Sequence, residues 1–218
     1  MNNKKYDGVY YEWPYVETLK EVIENTVAKY PDRTAYMYKD VHKDPFQSIT
    51  YKEFDVQRRA LGTALLGMGL KDSKIAVTGE NSHRWVLSYF TVVTGVGVIV
   101  PIDKSLQIGE IENLLRRADV ELLFFSPKMV DSLIPCLDAV ESLRYLVITD
   151  SPEKDYSKYR EDSRILLQSE LVKVGKRKLR EGHCEYEEAE VNADDLSTIL
   201  FTSGTTGLAK GVMLSHRN

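Results

Sequence analysis

Residues 74–101 read KIAVTGENSHRWVLSYFTVVTGVGVIVP, and this stretch decides the fold. Lys74 to Thr78 is an apolar run of strand length, Ser82 to Thr94 is long enough for a helix, and Val96 to Val100 is a second apolar run. A strand with one wet face would alternate polar and apolar residues. These runs do not alternate, so both of their faces are buried, as in a parallel sheet covered by helices. Trp85 to Ile102 contains no charged residue and is about as long as a short membrane span. Ser88, Thr91, Thr94, Gly95, Gly97 and Pro101 interrupt it, and a buried helix leading into a buried strand is favoured over a span.

The same rhythm continues downstream. Gln107 to Ala118 reads as a helix with Ile108, Ile111, Leu115 and Ala118 on one face. Strand Val120 to Phe125 follows. Then comes helix Pro127 to Val140, with Ser126 as N-cap and Pro127 at the tolerated first position. Strand Leu143 to Thr149 comes next. The four strands 74–78, 96–100, 120–125 and 143–149 are expected in one mostly parallel sheet, because helix-length spacers separate them.

Upstream, Glu17 to Tyr30 reads as an amphipathic helix with Val16, Leu19, Ile23, Val27 and Tyr30 on one face, ended by Pro31-Asp32. Thr34 to Tyr38 and Phe46 to Ile49 read as a hairpin joined by the polar segment Lys39 to Pro45. Thr50 and Glu53 form a capping box that opens a helix, with Phe54, Leu61, Leu65 and Met68 as its buried stripe. Gly69 suits a left-handed end to that helix.

Beyond Thr149 the pattern changes. Asp150 to Ser163 is polar, and Gln168 to Glu181 reads as a helix. Its basic end, Lys176, Arg177, Lys178 and Arg180, complements the helix dipole. An anion site and a solvated helix end are both open there, and the second is favoured. Glu185 to Asp195 is acidic and reads as a connector. Strand Ser197 to Phe201, a small-residue loop and a strand-like run Gly211 to Leu214 complete the chain. The expected division is an α/β subdomain over 1–195 and a strand–loop–strand unit over 196–218. The chain stops soon after its most distinctive loop, and a fragment of a longer protein is expected.

Composition narrows the classes. The 218 residues carry 29 Lys+Arg against 33 Asp+Glu, a net charge of −4, without the basic excess of a nucleic-acid binder. With 43% hydrophobic and 28% charged residues, the chain has the makeup of a globular domain. Cys136 and Cys184 stand apart, with no CxxC and no ligand spacing; neither zinc nor a disulfide framework is expected, and a reducing, cytoplasmic setting fits. The polar, Tyr-rich start, Met1 to Glu12, lacks the apolar core of a signal peptide. No transmembrane segment is expected; peripheral membrane contact stays open.

The loop Thr202-Ser203-Gly204-Thr205-Thr206-Gly207-Leu208-Ala209-Lys210-Gly211 carries the chemistry. Its glycines let the backbone approach a ligand, and successive amides can form an anion-binding nest. Thr202, Ser203, Thr205 and Thr206 add hydroxyls, and Lys210 adds a mobile positive charge. A Walker A loop needs G-x-x-x-x-G-K-[ST] opening a helix, whereas here G-T-T-G-L-A-K-G precedes strand-like sequence. Gly204 and Gly207, with Ala209 leaving φ free and no bound phosphate, predict that 202–210 is mobile without ligand. His216 has two readings: approach to a substrate, or a polar residue after the strand or helix cap, which is favoured. Asp103 lies past a strand end, where open α/β sheets bind ligands, and a turn role stands equally. Trp85 reads as core or pocket lining. His42, His83 and His183 show no partner pattern.

Ile199 to Asn218 resembles the phosphate-binding signature of the AMP-forming adenylate ligases, a superfamily of acyl-CoA synthetases, luciferases and peptide-synthetase adenylation domains. Phe201, Thr202 to Gly207, Lys210, Gly211, Val212, Ser215 and His216 match it. Pro31 to Ala35, Thr50 to Phe54, Gly67 to Val77 and Asn81 to Leu106 resemble the family's earlier segments, in order. Ala209 stands where the family usually has proline, which would have restrained φ.

The resemblance implies an N-terminal portion of an α/β enzyme, a mostly parallel sheet with helices on both faces. It implies ATP and Mg²⁺ as partners of the loop and coenzyme A as acyl acceptor. Activation of a carboxylic acid as acyl-AMP would release pyrophosphate before transfer to CoA. The long-chain fatty acid–CoA ligases are the branch it most resembles, from Tyr10 to Tyr38. It places Thr202, Ser203, Gly204, Thr205, Thr206, Gly207 and Lys210 around the ATP phosphates, with Thr202 near Mg²⁺. Catalytic and adenine-binding residues are expected beyond Asn218, so the 218 residues alone are expected to be inactive. A nucleotide-binding or interaction module without catalysis is the other reading.

Overall fold

The computed structural model describes residues 15–40, 43–151, 154–159, 161–202 and 209–218. Helix α1 (Leu19–Lys29) is opened by a capping box between Thr18 and Glu21 that the sequence reading did not anticipate. Strands β1 (Thr34–Tyr38) and β2 (Gln47–Thr50) pair antiparallel, as expected. Helix α2 (Tyr51–Gly67) begins with the expected capping box: Thr50 Oγ1 accepts from the Glu53 amide, and Glu53 accepts from the Thr50 amide. It ends at Gly69, whose φ of +76° lets the Gly69 and Leu70 amides turn back to the carbonyls of Leu66 and Leu65.

The large sheet is built from β3 (Ser73–Thr78), β4 (Gly97–Pro101), β5 (Leu122–Phe125), β6 (Tyr145–Ile148), β7 (Ile165–Leu167), β8 (Leu196–Thr202) and β9 (Lys210–Ser215). Their order is β7-β6-β5-β3-β4-β8-β9, parallel throughout except for the β8–β9 hairpin. The four expected strands are its centre. Continuous apolar runs arise because successive side chains enter different cores. Ile75, Val77, Leu122 and Phe124 face α2, α3 (His83–Val93) and α7 (Gln168–Arg180), while Ala76, Leu123 and Phe125 face α4 (Ile108–Ala118).

One expectation needs correction, and two features carried no signal in the sequence. The single helix over Pro127 to Val140 is a 3₁₀ turn (Pro127–Met129) followed by two short helices, α5 (Val130–Leu133) and α6 (Cys136–Ala139). Pro135 breaks it, since its ring nitrogen has no hydrogen to donate back into the preceding turn. Strand β7 emerges just after the stretch read as polar, from three residues too few to show a period. The acidic connector Glu185 to Asp195 holds Tyr186, which is 1% exposed and packed between α2 and α3.

Buried polarity inside this frame gives a pH prediction. His83 is 9% exposed, its ring lies 4.0 Å from that of Tyr38, and its Nδ1 has no hydrogen-bond partner among the described residues. Burial pulls its pKa from 6.5 down to about 4. Between those values the unfolded chain takes up a proton that the folded chain refuses. Stability is therefore complete above pH 6.5 and falls as pH drops towards 4, by roughly 3 kcal/mol from this group. The urea midpoint of the wild type should fall more steeply over that window than that of His83→Gln. Parallel slopes for the two proteins would contradict this.

Candidate functional site

Strand β8 joins the sheet parallel to β4, with Thr198 opposite Ile99. It therefore points the same way as the central strands, and Thr202 reaches their C-terminal edge. That edge is where open α/β sheets present ligand sites. The chain returns as β9 with Thr202 opposite Lys210 and Phe201 opposite Gly211. The hairpin register thus sets Thr202 and Lys210, both exposed, opposite each other at the mouth of the loop. Lys210 makes no ion pair with another described residue. Ser203, Gly204, Thr205, Thr206 and Gly207 lie outside the described residues, as does most of the span for which mobility was expected.

The neighbouring strand ends are already tied off. Past β4, Asp103 accepts from the amide and hydroxyl of Ser105, each at 2.8 Å, and these bonds hold its carboxyl below the usual range. This is the turn role. Past β3, Glu80 accepts a hydrogen bond from the Ser126 hydroxyl, which lowers its pKa, and lies 3.7 and 3.5 Å from Lys104 and Lys128.

His216 is a cap from a distance. Its Nδ1 accepts from the Leu19 amide at 3.2 Å, and its own amide donates to the Asp195 carbonyl. Burial lowers its pKa, which favours the neutral ring this bond requires. Trp85 is half-buried and stacks on Tyr89 at 5.7 Å. At the basic end of α7, Arg177 and Arg180 are exposed and Lys176 and Lys178 are half-buried, with Arg177 3.9 Å from Glu181.

Two residues shape the site without any signal in the sequence. Arg117 on α4 donates from Nη1 to the Ala209 carbonyl at 2.7 Å and lies 5.5 Å from the centre of the Phe201 ring. Buried Arg58 on α2 bonds Asp55, Thr94 and the Tyr186 hydroxyl, and so anchors the segment that leads into β8.

The exposed Thr202–Lys210 pair fits a polyanion. Magnesium fits only as a passenger of that anion: Thr202 offers one oxygen, and Glu80 is committed to Ser126, Lys104 and Lys128. Among the described residues, no group of three or more His, Cys, Asp or Glu side chains could hold a metal ion. None of their helices is long and apolar enough to cross a membrane.

The α/β fold is shared with solved CoA ligases. The solved anthranilate CoA ligase AuaEII, in complex with anthranoyl-AMP, superimposes with a TM-score of 0.74 at 19% identity, over 92% of this chain and 35% of that one. A long-chain-fatty-acid-CoA ligase (FadD1) from Archaeoglobus fulgidus gives 0.72 at 20% identity, over 94% and 38%. The model of the AMP-binding enzyme family matches residues 23–218, and the chain belongs to that family. Curated relatives include rat long-chain-fatty-acid–CoA ligase 5, 29% identical over 99% of this chain and 32% of its own length. A chloroplastic long-chain-fatty-acid–[acyl-carrier-protein] ligase, AEE15 of Arabidopsis thaliana, is 27% identical over 95% and 29%. The chain therefore spans about a third of the length of the curated relatives it matches.

Proposed function

We propose that the protein carrying this chain is an ATP-dependent acyl-CoA synthetase that activates a long-chain fatty acid. The carboxylate attacks the α-phosphorus of ATP, giving acyl-AMP and pyrophosphate; the thiol of CoA then displaces AMP. Adenylation replaces a poor leaving group, oxide, with a good one. The observation that carries the reading is the pairing of Thr202 with Lys210 at the C-terminal sheet edge, around a Gly/Thr-rich loop. Lys210 offsets charge gathering on the departing pyrophosphate, and Thr202, Ser203, Gly204, Thr205, Thr206 and Gly207 surround the phosphates. Magnesium, bound with the nucleotide, would neutralise phosphate charge beside Thr202.

Long-chain specificity is supported by long-chain ligases among relatives at 27–29% identity. A reducing, cytoplasmic setting rests on the separate cysteines: Cys136 is buried, and burial pushes its thiol up to about 11. Adenine-binding and catalytic groups belong to residues outside 1–218.

The test is thioester formation from ATP, Mg²⁺, CoA and a panel of fatty acids. The full-length protein should form acyl-CoA, with long-chain acids preferred. The 218-residue chain should form none above its own Lys210→Ala background, because orientation of the remaining groups accounts for roughly 7–11 kcal/mol of such a barrier. A full-length protein that forms no thioester with any acid would contradict the reading, and so would turnover by the chain alone.

A further inference from the structure

We propose that Arg117 is a positioning residue that fixes both stems of the 202–210 loop and so sets Lys210 in place for phosphate. The proposal rests on the phosphate reading of that loop. One guanidinium reaches both stems: Nη1 donates to the Ala209 carbonyl at 2.7 Å, and the cationic plane lies 5.5 Å from the Phe201 ring centre. Phe201 is the next-to-last residue of β8, and Ala209 immediately precedes Lys210, the first residue of β9. Both pack on the core that α4 covers, so a rigid helix carries the contact.

Alanine at 209 leaves φ free where a proline ring would fix it, so a contact from outside the loop can restrain the backbone there. Arg117 supplies a donor to the backbone carbonyl of the residue just before Lys210. Its fork suits this double task, since a guanidinium can hydrogen-bond in its plane while its face meets an aromatic ring. Arg116, one residue earlier on α4, points elsewhere, to Glu112 and the Ala139 carbonyl. The clamp therefore belongs to Arg117 and not to the basic end of α4 in general.

The experiment compares wild type, Arg117→Ala, Arg117→Lys and Lys210→Ala in the full-length protein. Amide exchange is read at Thr202, Lys210 and Gly211 without ligand, together with steady-state kinetics and thermal midpoints. In Arg117→Ala, exchange at these amides should rise about tenfold. The KM for ATP should rise about fivefold, a modest loss because the guanidinium is solvent-exposed, while the KM for the fatty acid and the thermal midpoint hold. Arg117→Lys keeps a cation but loses the planar fork, and should recover only part of both effects. Unchanged exchange in Arg117→Ala overturns the clamp. Faster exchange with an unchanged ATP KM, while Lys210→Ala is impaired, overturns its role in positioning. A wild-type ATP KM in Lys210→Ala overturns the phosphate reading itself, and the clamp is then judged on exchange alone.

Discussion

Replacing Gly175 with alanine should destabilise the fold by about 3 kcal/mol, at the upper end of overpacking costs. Gly175 is the point where α7 crosses α2. A β-carbon there would sit 1.7 Å from the Ala60 carbonyl oxygen and 2.4 Å from its carbon. The obstacle is backbone, so no rotamer change relieves it and the helices must separate. Leu61, Leu171 and Val172, buried beside the crossing, would lose contact as they do. Gly109→Ala is the control: its β-carbon would meet nothing within 4 Å, and alanine is the better helix former, so stability should hold or rise by up to about 1 kcal/mol. Urea denaturation reads both. A Gly175→Ala protein as stable as wild type would show that α2 and α7 do not pack this closely.

The second large effect is expected at Arg58. Its side chain is 3% exposed, and Nη2 lies 2.6 Å from the Asp55 carboxylate. Nη1 reaches Thr94 Oγ1 at 2.7 Å and the Tyr186 hydroxyl at 3.3 Å, and that hydroxyl also meets Thr94 Oγ1 at 2.7 Å. The Tyr186 hydroxyl donates to the Thr91 carbonyl, closing the network. Arg58→Ala leaves a largely buried carboxylate without its cation and should cost about 3–5 kcal/mol. The double variant Asp55→Leu/Arg58→Met removes both charges and should recover much of that loss, because an apolar pair has no charge to desolvate. Equal losses in the single and double variants would mean that packing, and not the ion pair, dominates. In the chain Tyr186 lies between α7 and β8, so the network holds the segment that leads into the hairpin.

The four central strands between 74 and 149 were legible because each is a local signal, an unbroken apolar run. The Thr50–Glu53 box and Gly69 were legible for the same reason: a cap is a pattern within four residues. Strand β7 was not, since three residues carry no period. Pro135 was visible, but its break was outweighed by the apolar residues on either side of it. Tyr186 was hidden because one aromatic residue among acids shows no periodicity, and its partners Arg58 and Thr94 lie 128 and 92 residues away. At the site, the loop declared itself through composition, and the turn at Asp103 and the cap at His216 were among the readings the residues allowed. The Arg117 contact was not legible. It joins positions 92 residues apart, and pairings of that kind are set by the strand order.

We propose that this hairpin holds the phosphates of ATP while a carboxylic acid is adenylated. Exchange of labelled pyrophosphate into ATP isolates that half-reaction, because it needs no CoA. In the full-length protein, label should enter ATP only when a fatty acid is present. Lys210→Ala should slow this exchange about 100-fold or more, as expected when a group offsetting transition-state charge is removed. Exchange without any carboxylic acid, or at the wild-type rate in Lys210→Ala, would contradict the account.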